Sequence, residues 1–152
     1  MGPPMILFAL RHADRTTDGD QLSPAGVKRA ELLARMLGES GVRIALCSDA
    51  ARTQQTVAPL KNALGAALKV VVVRTDGPDG IDGHIRDIVN RLEALPQDAV
   101  AVAVGHTNTI RPIIEGIGGK NPDPIAENEF DKLFVVDSSG IVALMRYGEK
   151  TP

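Results

Sequence analysis

The chain has 152 residues, 43% of them hydrophobic, with a formal net charge of −2 and a single cysteine. A globular chain of this size buries ~70% of the surface it exposes when unfolded, enough for a core without staples. Cys47 alone excludes an internal disulfide or a thiolate zinc cluster, and the acidic balance, with a pI near 5.9, excludes any global attraction to nucleic acid or an acidic membrane.

Met1-Gly2-Pro3-Pro4 lacks a basic region leading into a long apolar stretch. The apolar run over residues 5–10 is too short for a signal-peptide core or a membrane span, so the cytoplasm is the expected compartment. That run predicts a strand, followed by a polar stretch over residues 14–21. Ser23-Pro24 supplies an N-cap and a proline at the first helical position. Val27, Ala30, Leu33, Ala34 and Leu37 then mark one apolar helical face, ended by Gly38 or Gly41. Residues 43–47 predict a second strand, in which Cys47 reads as a small buried hydrophobe. Residues 48–64 predict a second helix, bent or restarted at Pro59.

The third strand is expected over residues 68–73. A loop rich in Asp and Gly follows, about a dozen residues long, leading to a helix over residues 85–95. His84 falls at that helix start and reads as a surface or loop-facing residue, with lining of the substrate entrance as the alternative. The fourth strand is expected over residues 99–104, and a short helix over residues 108–115 with Pro112 in its first turn. Residues 133–137 and 141–147 predict a hairpin around Ser138-Ser139-Gly140. Phe130, Phe134 and Tyr147 near it read as core, with a partner-facing role as the alternative; the oligomeric state is left open.

Strands alternating with helices predict right-handed βαβ units. The expected fold is a three-layer α/β/α arrangement with a mostly parallel central sheet and a C-terminal antiparallel hairpin, one domain over residues 1–152.

Two of the three histidines end buried-strand runs, His12 after residues 5–10 and Arg11, His106 after residues 99–104 and Gly105. Ligands of open α/β sheets bind outside the carboxyl ends of parallel strands. If these two runs are neighbours, both imidazoles and Arg11 face one crevice, suited to an anion. A dinucleotide site is excluded, since no Gly-x-Gly-x-x-Gly follows the first strand.

Leu10-Arg11-His12-Ala13 resembles the Arg-His-Gly signature of the histidine phosphatase superfamily, which includes phosphoglycerate mutase-like and phosphohistidine phosphatase-like proteins. Three further segments agree in order: residues 22–26 (Leu-Ser-Pro-Ala-Gly), Ser48 through Arg52-Thr53-Gln54-Gln55-Thr56, and Val104-Gly105-His106-Thr107-Asn108-Thr109. The likeness continues through Ile117-Gly118-Gly119 and residues 130–136. It departs at Ala13, which stands in place of Gly, and at Asp18, where longer-looped members carry Asn. Asp14-Arg15 is similar to the acidic-basic pair of short members.

The resemblance implies a phosphoryl acceptor at His12, with Arg11, Arg52 and His106 forming the phosphate pocket and Thr107 contributing to it. The residue types suit that chemistry, because phosphoryl transfer depends chiefly on positioning and charge stabilisation. Guanidinium forks pair with phosphate oxygens, and a neutral imidazole nitrogen can attack phosphorus. No metal or other cofactor is expected. Ester cleavage also needs a proton donor; Asp76 and Asp14 are the candidates, with Asp79 and Asp82 in the same loop as Asp76. The expected function is a metal-independent phosphatase acting on a phosphorylated small molecule or phosphoprotein, a phosphomonoester or phosphohistidine, through phospho-His12. The alternatives are a catalytically weak phosphate-binding module and a phosphoglycerate mutase-like phosphotransferase, the latter disfavoured by a pocket with no room for a capping insertion.

Overall fold

A computed structural model of the protein describes residues 5–150; residues 1–4, on which the reading of the N-terminus rests, lie outside them. The elements in chain order are β1 (Ile6–Arg11), α1 (Pro24–Leu37), β2 (Ile44–Ser48), α2 (Ala51–Leu64), β3 (Lys69–Val73), α3 (Gly80–Glu93), β4 (Val100–Gly105), α4 (Ile110–Gly116), β5 (Lys132–Asp137) and β6 (Val142–Arg146). They form one six-stranded sheet in the order β3-β2-β4-β1-β5-β6. The β3-β2-β4-β1 portion is parallel, and β5 and β6 add antiparallel strands beyond β1.

The unbroken apolar runs are explained by burial on both faces of the sheet. Along β4, Ala101 and Ala103 enter one core cluster while Val102 and Val104 enter the other. The first cluster takes Ile88 and Leu92 from α3 and Ile110, Ile113 and Ile114 from α4. The second takes Leu33 and Leu37 from α1 and Val57 and Leu60 from α2. The molecule is therefore a three-layer α/β/α structure. Right-handed crossovers require this division, because the chain moves outward across the sheet from β1 to β3 and then returns to β4.

Several boundaries move. Residues 48–50 precede α2 rather than belonging to it, and the helix runs continuously through Pro59. The third helix begins at Gly80, not residue 85, so Asp82 lies in its first turn, where a carboxylate suits the helix dipole. Six residues, 74–79, rather than a dozen separate β3 from α3. That shift also corrects His84: it faces inward from α3 and is 2% exposed. Cys47 is fully buried, and burial pushes its thiol up to about 11. No helix among the described residues is long and apolar enough to cross a membrane.

Candidate functional site

The chain leaves β1 toward α1 on one face of the sheet and leaves β4 toward α4 on the other. The carboxyl ends of these adjacent strands thus frame a crevice at the point where the winding reverses. Arg11 pairs in register with Gly105, and the His12 N–H extends the ladder by donating to the Gly105 carbonyl at 2.8 Å. This sets the His12 and His106 rings 5.4 Å apart, inclined at 62°. Gly105 permits the approach, since a Cβ there would lie 2.5 Å from Thr109 Oγ1, the atom that accepts the His106 N–H at 2.9 Å. The cleft, about 480 Å³, is lined among others by Arg11, His12, Arg15, Arg52, His106 and Thr107. A groove of about 510 Å³ lies elsewhere, between β3 and α3, and contains neither His12 nor His106.

His12 Nδ1 lies 2.8 Å from the Ala13 carbonyl oxygen. A carbonyl can only accept, so Nδ1 carries the proton and Nε2 keeps its lone pair. The turn bearing this carbonyl is tied to α2, with the Ala13 N–H donating to Thr56 Oγ1 at 2.9 Å and the Thr56 hydroxyl donating to the Arg52 carbonyl at 2.8 Å. One residue earlier, Gln55 Oε1 accepts the Leu22 N–H at 2.8 Å. The Arg-Thr-x-Gln-Thr run therefore clamps the loop after His12 from one helix face.

Both arginines are only partly committed to protein partners. Arg11 Nη1 donates to the carbonyls of Glu127 at 2.7 Å and Glu129 at 3.1 Å, and its guanidinium sits 4.0 Å above the Phe130 ring. Arg52 Nη1 pairs with Asp20 at 2.7 Å. The same Asp20 carboxylate accepts the Ala51 and Arg52 N–H groups, capping α2 from a distant loop in place of Ala50, whose side chain cannot. Arg11 Nε and Arg52 Nε are buried without a hydrogen-bond partner. An unpaired buried donor is costly in a folded protein. Arg11 and Arg52 line the cleft together with His12, an arrangement of charge suited to an oxyanion.

The state of His106 follows from proton accounting. The Thr53 hydroxyl donates to a backbone carbonyl, with those of Ser48 and Ala50 each at 2.9 Å. Its oxygen then accepts from the Ser48 hydroxyl at 2.9 Å. Ser48 Oγ, having given its proton, accepts from His106 Nε2 at 2.8 Å. The lone pair of His106 is thereby on Nδ1, 3.4 Å from the donor Arg52 Nη2. The hydroxyls of Ser48 and Thr53, fully buried, thus fix the imidazole's orientation, a role the sequence reading did not assign them.

Both imidazoles are held neutral. Burial, opposed by the Ala13 carbonyl and assisted by Arg11, His106 and Arg52, pushes His12 from 6.5 down to about 3. Burial, followed by Arg52, His84 and Arg11, pushes His106 down to about 4. In the unfolded chain both take up protons below their ordinary value, so acidification from pH 6.5 toward 4 favours unfolding. The slope is up to about 1.4 kcal/mol per pH unit for each residue, with the contribution fully present above pH 6.5. Urea unfolding should show stability falling by about 3 kcal/mol between pH 6.5 and 5. A His12→Asn/His106→Asn double variant should lose less than half as much; an unchanged slope would refute the assignment.

The two aspartates expected to donate a proton are placed otherwise. Asp14 is buried and pairs with Arg29, Oδ1 to Nε at 2.6 Å. Arg29 in turn donates to the carbonyls of Tyr147 and Glu149 at 2.6 Å each. Asp14 thus braces α1 against the C-terminal segment. Asp76 forms an exposed pair with Arg74 at 2.9 Å. Neither lines the cleft. Asp79 pairs with Arg86 at 3.1 Å, and Asp82 is in the first turn of α3. His84 Nδ1 lies 3.2 Å from the Arg74 carbonyl, outside the cleft lining. Thr107 is at the cleft. The acidic residue that does line it is Glu127, from a Gly/Pro-rich loop with no periodicity to single it out. Phe130 packs 5.8 Å from the His12 ring, whereas Phe134 and Tyr147 are core.

Residues 9–75 match the family model of the histidine phosphatase superfamily (branch 1). A comparison with curated proteins finds no match. Among solved structures, the protein histidine phosphatase SixA complexed with tungstate is 18% identical with a TM-score of 0.65, over 96% of this chain and 97% of that one. Mycobacterial glucosyl-3-phosphoglycerate phosphatase is 18% identical with a TM-score of 0.62, over 93% and 97%. Phosphoglycerate mutase from Plasmodium falciparum is 17% identical with a TM-score of 0.59, over 99% and 94%. At these identities the likeness is one of fold.

Proposed function

We propose that this chain, whose residues 9–75 match the family model of the histidine phosphatase superfamily, is a phosphatase that removes a terminal phosphoryl group through a phospho-His12 intermediate. The observation that carries this reading is the neutral His12, with its Nε2 lone pair in the same cleft as the buried, unpaired Nε–H donors of Arg11 and Arg52. In the first step the Nε2 lone pair attacks phosphorus, and the electrons of the breaking bond leave with the substrate oxygen or nitrogen. In the second, water attacks the phosphohistidine, and the P–N electrons return to Nε2. Arg11 and Arg52 spread the charge of the equatorial oxygens.

His106 complements a dianion once it gains a proton at Nδ1, which an incoming phosphoryl group favours by its charge. SixA and the glucosyl-3-phosphoglycerate phosphatase are described as acting on a protein phosphohistidine and a phosphomonoester. A cleft open to solvent on a sheet rim accommodates either kind of phosphoryl group, and the proposed substrates are a phosphomonoester or a phosphohistidine. The test is hydrolysis of p-nitrophenyl phosphate in excess EDTA. Turnover that survives chelation supports the reading. If the chain hydrolyses nothing while tungstate raises its melting temperature, it is a binding module instead.

A further inference from the structure

Cleavage of an unactivated phosphate ester needs a proton for the departing oxygen, and the aspartates nearest in sequence are committed elsewhere. Asp14 is held by Arg29, and Asp76 pairs with Arg74 away from the cleft. Asp20 approaches the crevice through Arg52, but it is a poor donor. Partial burial raises its carboxyl, yet the Ala51 and Arg52 amides and the Arg52 guanidinium outweigh this and hold it below the ordinary value. Both of its oxygens are accepting hydrogen bonds.

Glu127 is the one carboxyl-bearing residue among those lining the cleft. Its backbone is clamped on two sides. Arg11 Nη1 holds its carbonyl at 2.7 Å, and Glu129, one residue beyond its neighbour, accepts the Ala126 N–H at 2.9 Å. Glu129 is itself anchored by Lys132 at 3.2 Å and Arg146 at 3.1 Å. The side chain of Glu127 makes no hydrogen bond among the described residues, so it is free to meet a ligand. Its charge is felt by Arg11, the residue next to the nucleophile.

We infer that Glu127 is the catalytic acid and base of this cleft, donating a proton to the leaving oxygen of a phosphomonoester and then accepting one from the attacking water. This rests on the phosphatase reading above. As the His12 Nε2–P bond forms and the P–O bond breaks, the Glu127 O–H proton moves to the leaving oxygen, which departs as an alcohol. The resulting carboxylate takes a proton from water as the water oxygen bonds to phosphorus and the P–N bond opens. Glu127 is then an acid again, and phosphate is released.

The experiment compares Glu127→Gln with the wild-type chain on two substrates. p-Nitrophenyl phosphate has a leaving group that departs as a stable anion, whereas an alkyl phosphate such as glycerol phosphate does not. The glutamine keeps the backbone clamp and the side-chain shape but carries no exchangeable acid. The expected result is a fall in kcat of about 100-fold or more on the alkyl ester and a change of no more than about threefold on p-nitrophenyl phosphate, with Glu127→Asp restoring part of the alkyl-ester rate. Equal losses on the two substrates, or no loss on either, overturn the inference while leaving the phosphatase reading standing. A wild-type chain inactive on both would overturn that reading, and the inference with it.

Discussion

Replacing His12 with alanine is expected to lower turnover of p-nitrophenyl phosphate by about 10⁴-fold or more, while leaving oxoanion binding in place. The two effects separate because different atoms produce them. In the proposed mechanism the nucleophilic lone pair belongs to His12 Nε2 alone. The charge proposed to hold an oxyanion comes from Arg11 and Arg52, whose Nε–H groups are unpaired, together with His106. Wild-type protein quenched in alkali during turnover should carry a phosphoryl label that alkali spares and acid removes, as a P–N bond requires, and His12→Ala should carry none. Tungstate at about 100 times its dissociation constant should still stabilise the variant by about 2.7 kcal/mol, whereas Arg52→Ala should lose most of that stabilisation. Retention of a tenth of the activity by His12→Ala would assign the nucleophile elsewhere.

What the sequence conveyed depended on how local each signal was. The strand runs ending at Arg11 and Gly105 were legible because burial on both faces of a parallel sheet writes itself as an uninterrupted apolar string. Their adjacency in the sheet, which brings His12 and His106 together, was only a condition of the sequence reading, and the structure meets it, since β1 and β4 pair. The start of α3 was not legible, because Gly80, Asp82 and Gly83 carry loop composition. Only the tertiary packing of His84, Ile88 and Leu92 against the sheet shows that helix beginning so early. The placement of Asp14 was not legible for a related reason. Its neighbour in sequence is Arg15, but its partner is Arg29, one helix away. Long-range pairs of this kind leave no spacing signature. Glu127 was invisible for the same cause, since Arg11 fixes its loop across 116 residues of chain.

The sharpest test of the packing beneath the site is Gly26→Ala. Within a helix, alanine is preferred to glycine by about 1 kcal/mol, so local propensity predicts a gain in stability. The tertiary structure predicts the reverse. A Cβ on Gly26 would lie 1.9 Å from the Asp14 carbonyl oxygen and 2.9 Å from its carbon. These are backbone atoms, so no side-chain rotation relieves the overlap. The same carbonyl accepts the Ser23 N–H at 2.9 Å, and Ser23 caps α1 by accepting the Gly26 N–H at 3.2 Å. The start of α1 and the loop after His12 are thus fitted at backbone distance, and the helix must be pushed away to admit a methyl group. The expected cost is about 3 kcal/mol, the upper range for overpacking, read as a lower urea midpoint at unchanged m-value. Activity should fall as well, because Ala13 and Asp14 move together and the Ala13 carbonyl sets the His12 tautomer. A stabilised or unchanged Gly26→Ala protein would mean that α1 and this loop are not seated on one another, and the glycine following Ser-Pro-Ala would then have no structural reason to be there.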